Sequence, residues 1–385
     1  MTAAIRATVA GSVLAYGLLL LLALTASVSV AARASTPSAP VAAVTATQLV
    51  ALATVPVGAD PTGVAVDAAA HAVYVTNQGD DTVSVIDGTA LRVVATIKVG
   101  RSPAAVAVDA KLRRVFVANQ DDRSVSVIDA TTNQVVDTIA TGARPSDLAV
   151  DPATDRVYVA DGDDVRSGNP SGTVRAVDGR TGRVVATAAV GGLGSVVDGL
   201  AVDPSANAVF VPYALRSNPP VLLMLDGATL RTLAGNAVSN GTYRGTALGS
   251  FGVAVDPATH RVLATSPIGF PVVVFDGASA ASFRQTPGTI RVGASPVSVA
   301  VDPSTRTVYV TESGQFWGDA PNRDAVTAVD EATGRVIATV GVGIQPWGVG
   351  VDPGTHLVYV ANHLGRSVTV IAGVDRPSAG TPSAR

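Results

Sequence analysis

The chain of 385 residues contains no cysteine. Disulfides, thiolate metal sites and a cysteine nucleophile are therefore excluded, and so is a lipid anchor on an acylated cysteine. Charged residues make up only 15% of the chain, and formal net charge is −3, so no broad positive field exists to gather a polyanion such as nucleic acid. Aromatics are scarce at 4%, with two tryptophans, and there are four histidines. No G-x-S-x-G elbow, phosphate-cradling glycine loop or His-x-x-x-His pair is present. Gly191-Gly192-Leu193-Gly194 falls between two strands rather than ahead of a helix, which excludes a nucleotide cradle.

What is abundant is valine in a repeated phrase. VAVD or a close variant is followed by VYV and then by a second valine-rich strand ending in Asp, seven times over. The Asp residues closing the first phrase are Asp67, Asp109, Asp151, Asp203, Asp256, Asp302 and Asp352. A period of this size marks a repeat architecture. In the first copy four strands are legible, which we letter a to d: Val64–Val66, Val73–Thr76, Thr82–Ile86 and Arg92–Val99. Runs such as VYV and VSVI do not alternate, as expected for sheets covered on both faces. The middle residue of strand a is small throughout: Ala65, Ala107, Ala149, Ala201, Ala254, Ala300 and Gly350. Small side chains fit where sheets converge on an axis, which favours a radial propeller over an open solenoid.

The seventh copy lacks strand d, and the segment Leu49–Gly58 (LVALATVPVG) matches the d strands LRVVATIKVG (91–100) and GRVIATVGVG (334–343). The amino-terminal strand is thus expected to complete the last blade and close the ring, removing exposed strand edges. The predicted fold is an all-β, seven-bladed β-propeller of four-stranded antiparallel blades spanning residues 48–373. It is preceded by a Pro/Ser/Ala linker (35–47) and followed by a polar tail (374–385). Residues 1–34 read as an export signal: Arg6 precedes an uncharged stretch, Val9–Ala32, and a small-x-small site, Ala32-Arg33-Ala34, follows. The rival reading is a retained anchor, since the uncharged run is long enough to span a bilayer. Either reading puts the body outside the cytoplasm, secreted or at the cell surface, with membrane contact only through an uncleaved anchor.

The phrases VYVTNQGDDTVSVID (73–87), VFVANQDDRSVSVID (115–129) and VYVANHLGRSVTVI (358–371) resemble the YVTN-type repeats of surface-layer-like and YncE-like propellers. The resemblance implies the propeller fold and an exported or surface binding protein. A DNA-binding role attached to part of that group does not carry over to an acidic exported chain. Blades 4 and 5 depart from the phrase at VFVPYALRSNPPVLLMLD (209–226) and VLATSPIGFPVVVFD (262–276).

The repeated Asp residues have the context of turns, as in Asp151-Pro152-Ala153-Thr154, where a carboxylate accepts backbone amides. The strand-c Asp residues (87, 129, 178, 226, 276 and 330) read the same way. His71, His260 and His356 share one turn position on different blades and do not converge; only His363 lies off the pattern. Acidic pairs such as Asp80-Asp81 and Asp121-Asp122 lack the spacing of an oxygen-rich calcium loop. No cofactor and no metal are expected.

Irregularity is the better guide. The b–c and d–a loops share one face of a propeller and vary in length here: Asp161–Thr173, Pro212–Pro220, Glu312–Ala325 and Gly235–Gly249. Variable loops on a rigid scaffold are where binding groups concentrate. On that face the candidate binding residues are the aromatics Trp317, Trp347, Phe316, Tyr213 and Tyr243. With them go the charged Arg101, Arg144, Asp147, Asp198 and Arg244 flanking the starts of strand a. The two tryptophans, in loops of neighbouring blades, are expected to lie near each other.

The expected function is a non-catalytic, monomeric propeller that binds a protein, glycan or small ligand at this face. The alternatives are a lactonase- or lyase-type propeller enzyme with a metal near the channel, and a cell-surface structural module.

Overall fold

The computed structural model describes residues 49–162, 172–191, 195–197, 199–214, 220–238, 252–265, 271–293, 295–314 and 324–372. Within them the chain forms seven antiparallel sheets, six of four strands and one of five. Blade 1 shows the common plan: strand a Pro61–Asp67, b Ala72–Asn77, c Thr82–Asp87 and d Arg92–Lys98, each paired with the next. Strands b and c are buried almost throughout, which is why their valines need no polar alternation.

Closure follows the predicted route. Val50–Pro56 pairs antiparallel with Ser367–Ala372, so the amino-terminal strand is the outer strand of blade 7. Each of the seven hydrophobic clusters lies in a seam between neighbouring blades. The closing seam sets Val55, Tyr359, Val368 and Val370 of blade 7 against Val73, Val75 and Ile86 of blade 1. The ring is therefore held by apolar burial at every joint, the last included.

Blade 4 departs from the plan. Its inner strand is broken into Val196–Val197 and Ala201–Asp203, and strand b runs on to Ala214. Pro212 and Tyr213, expected in a loop, lie in that strand opposite Leu222 and Val221. Proline has no N–H for the ladder, and the break in strand a falls beside it. Gly235 likewise belongs to strand d of this blade (Thr232–Ala237), so the loop starts later than the sequence suggested.

The a–b and c–d turns form one end of the ring. All seven strand-a Asp residues accept turn amides through Oδ1, as Asp67 does from Ala69 and Ala70. The position before each strand b takes a left-handed backbone, φ between 47° and 59°, at His71, Arg113, Asp155, Asn207, His260, Arg306 and His356. From it His260 and His356 reach back to the preceding blade, with Nδ1 at 2.6 Å from Asp203 Oδ2 and 2.8 Å from Asp302 Oδ2. His71 stands 3.9 Å from Asp352 across the closing joint. The three histidines do not converge; His260 and His356 each tie two blades.

Candidate functional site

At the opposite end, a cavity of about 320 Å³ opens on the axis. Its wall comes from the first residues of strand a, where most blades carry a register shift, for example between Pro61 and Val64 and between Pro346 and Val349. The shift turns backbone and short side chains toward the axis: Thr62, Gly63, Ala104, Ser146, Asp147, Ser298 and Gly348 line it. Gly348 is required there, because a Cβ would stand 2.2 Å from the Thr62 carbonyl of the next blade. Apolar residues one step further along strand a, Val64, Val106, Leu148, Leu200, Val253 and Val349, contribute a deeper lining. Gln78 and Gln120, the residues just after strand b of blades 1 and 2, stand with Trp347 around it, and all three are half-buried.

A repeated polar clasp fixes this wall. The threonine before the end of strand b accepts from its own strand a and donates to the next blade. Thr76 Oγ1 takes the Gly63 N–H at 2.7 Å and reaches Ala104 O at 3.3 Å. Thr265 does the same between Gly252 and Val297. Thr311 accepts from Ser298 at 2.9 Å and donates to the carbonyl of Trp347 at 2.8 Å. In blade 3, where this position is Ala160, Ser146 Oγ donates to Val197 O at 2.6 Å instead. The Asn that follows holds the linker entering its blade: Asn77 Oδ1 accepts from Gly58 N at 3.1 Å, and its amide donates to Thr82 and Ser84.

Asp147 lines the cavity but is committed. Oδ1 accepts from its following neighbour Leu148 at 2.8 Å and Oδ2 from Leu200 of blade 4 at 2.7 Å. Trp347 packs beside His363, ring centroids 5.1 Å apart and tilted by 44°. His363 opens a short 3-10 turn in blade 7, and its Nδ1 lies 3.4 Å from Pro61 O.

Arg101 and Arg144 are not among the described residues of the cavity wall. Arg101 Nε meets Asp122 Oδ1 at 2.5 Å while the Arg101 N–H bonds Oδ2 at 2.7 Å; Arg144 meets Asp121 at 2.8 Å. The acidic loop pairs are thus spent on linkers. Asp81 accepts from Ser102 N at 2.9 Å, and Asp80 from Ala59 N at 2.6 Å. The backbone bond from Ser102 holds the Asp81 carboxyl below its ordinary range, and those from Arg101 do so for Asp122. Tyr213 packs into the seam of blades 3 and 4, against Gly191. Trp317, Phe316, Tyr243, Asp198 and Arg244 lie outside the described residues, and with them the expected pairing of the tryptophans.

No protein-family model and no curated protein matches the chain. Among solved structures, hydrazine synthase of Kuenenia stuttgartiensis superposes with a TM-score of 0.69 at 18% identity. The match covers 82% of this chain and 96% of that one. At that identity the likeness carries the fold and no activity.

Of the ten candidate residues, the structure brings Asp147 and Trp347 to the cavity. It adds Gln78, Gln120, Thr62, Ser146 and Ser298, which sequence reasoning passed over. The signal for the glutamines was the position directly after the strand-b Asn.

A second cavity, of about 440 Å³, lies beside the outer strands of blade 6, lined by Arg291, Gly293, Glu312, Thr327 and Thr339. Glu312 stands where blades 1, 2 and 7 have Asn, and it accepts from Gly293 N at 2.9 Å as Asn77 and Asn362 accept from Gly58 and Gly343. Burial pushes its carboxyl above the ordinary range. Among the described residues no group of three His, Cys, Asp or Glu side chains gathers as metal ligands would.

Proposed function

We propose that this chain is an exported, non-catalytic binding propeller of the YVTN type, taking its ligand at the axial cavity on the b–c and d–a loop face. One observation carries the reading. That end of the ring gathers a half-buried tryptophan and two half-buried glutamines around a cavity, whereas the other end uses its polar groups to tie blades together. Concave sites with an apolar lining and a few convergent polar groups are the usual form of a ligand pocket. Export rests on the amino-terminal sequence, and the acidic balance speaks against nucleic acid as partner.

The test is a thermal-shift screen with small ligands, oligosaccharides and peptides on the wild-type chain and on Trp347→Ala. A ligand at a hundredfold excess over its Kd stabilises by about 2.7 kcal/mol, a shift of several degrees. The expected result is at least one stabilising ligand whose effect is lost in Trp347→Ala while the circular dichroism spectrum is unchanged. Ligands that stabilise both forms equally would place the site elsewhere. Fractionation of the producing cells tests export.

A further inference from the structure

The chemistry of the axial cavity narrows the ligand. The only ionisable side chain among its described lining residues is Asp147, and both of its oxygens accept backbone N–H groups. The nearby arginines, Arg101 and Arg144, are held by Asp122 and Asp121. A phosphate or carboxylate ligand demands a cation free to meet it, and an ammonium ligand demands a carboxylate with open lone pairs. The described wall holds no cation, and its one carboxylate already accepts two backbone N–H groups.

Neutral hydrogen-bonding capacity is present instead. Gln78 spends one amide proton on Ser102 Oγ at 3.1 Å, which leaves its second amide proton and its carbonyl oxygen. Gln120 accepts from Arg144 through Oε1 at 3.5 Å, which leaves both amide protons. Ser146 donates to the Val197 carbonyl, and Thr62 shares its hydroxyl with Thr76 Oγ1 at 2.8 Å and Pro103 O at 3.3 Å, so each keeps at least one acceptor lone pair. A carboxamide offers donor and acceptor side by side, as does each hydroxyl of a polyol. Trp347 brings an indole ring to the wall, in contact with the tilted His363 ring and held at its backbone by Thr311. A ring that is apolar on its C–H face and hydroxylated at its edge satisfies both kinds of wall. The volume, about 320 Å³, stands at the small end of ligand pockets and suits roughly one to two pyranose rings.

We propose that the axial cavity binds the end of a neutral saccharide, with the C–H face of a sugar ring on Trp347 and its hydroxyls on Gln78 and Gln120. This rests on the axial cavity being the binding site. Trp317→Phe leaves Trp347 as the only tryptophan, so its emission reports the cavity. That variant is titrated with maltotriose, cellotriose, xylotriose and chitotriose as neutral probes. Trigalacturonate, inorganic phosphate and trilysine are the charged ones. The expected result is a saturable emission change with at least one neutral trisaccharide, weakened at least tenfold by Gln78→Ala with Gln120→Ala and unchanged by Arg101→Ala. Circular dichroism and the melting temperature establish that the glutamine variant is folded. A saturable change with a charged probe and none with a neutral one overturns the saccharide and leaves the cavity as a binding site. A silent Trp347 with every probe also overturns the saccharide. If, in addition, a ligand found by thermal shift binds Trp347→Ala undiminished, the binding reading falls with it.

Discussion

The Thr311 hydroxyl of blade 6 donates to the Trp347 carbonyl of blade 7 at 2.8 Å while accepting the Ser298 N–H at 2.9 Å. One side chain thereby fixes both its own bulged strand and the backbone that carries the aromatic of the axial cavity. Thr311→Val keeps the shape and removes both bonds, leaving a buried N–H and carbonyl to find water or go unpaired. The cost is about 1–3 kcal/mol. Urea unfolding measures it, and a shift in Trp347 emission in the Trp317→Phe background shows that the indole has been released.

Two buried glutamates set an alkaline limb to stability. Burial raises the carboxyl of Glu312, and burial together with the neighbouring Asp256 raises that of Glu331. Thr259 Oγ1 lies 2.9 Å from Glu331 Oε1 and 3.0 Å from Asp256 Oδ2. The hydroxyl has one proton, so the second contact needs a protonated carboxyl. A folded-state pKa above the unfolded one means the native chain binds more protons than the unfolded chain above about pH 4.5. Stability then falls as pH rises through the folded pKa. Glu312→Gln keeps an acceptor for Gly293 and removes the charge. Its urea midpoint should exceed wild type at pH 7 and converge on it near pH 4.

The acid limb has the opposite sign. Asp81, Asp87, Asp122 and Asp226 are all held below the ordinary carboxylate range, the first three mainly by backbone amides and Asp226 mainly by the Thr229 hydroxyl. Their contribution is present above the unfolded value of about 3.8 and is lost as pH falls through the lower folded values. These turns are exposed, so each effect is small and solvent-screened. Acid titration of the melting temperature should show a broad decline below pH 4, and Asp87→Asn should shift it only slightly.

Much of this was legible because the phrase repeats. Strand order, blade number and closure by Leu49–Gly58 follow from an offset visible in the text. Asp147 and Trp347, which border the cavity, stand out in the sequence because they interrupt the phrase. Gln78 and Gln120 were missed because they sit inside it, as ordinary polar residues after a strand. The ion pairs of Arg101 and Arg144 were not legible, because a sequence does not show that Asp122, 21 residues after Arg101, and Asp121, 23 residues before Arg144, fold onto them. Glu331 illustrates a subtler dependence. In most joints a strand-b aromatic lies against the small c–d turn residue of the next blade, as Tyr359 against Gly88 and Phe210 against Gly277. Blade 5 offers Leu263 at that position, and the facing turn in blade 6 carries Glu331. The compensation spans two blades and is invisible to a reading of either alone.

Gly348→Ala tests the closeness of the closing joint. The added Cβ meets the Thr62 carbonyl at 2.2 Å, a backbone atom that moves only if blade 1 shifts. Overpacking of this kind costs roughly 1–3 kcal/mol. The melting temperature should drop accordingly, more than for Gly341→Ala, whose Cβ meets nothing within 4 Å.

Deleting residues 49–58 removes the outer strand of blade 7 and takes Val55 out of the closing seam. The ladder edge of Ser367–Ala372 is then unpaired, and a free edge recruits strands from other chains. The truncated chain should elute from size exclusion as larger species than the intact chain and unfold with a broadened urea transition. Adding the missing segment in trans as a peptide should restore the elution of the intact chain, because the edge and its partner are complementary in register from Val50↔Ala372 to Pro56↔Ser367. A truncated chain that eluted as the intact chain does, with an unchanged transition, would show that the six complete blades and the remainder of the seventh hold the ring without this strand.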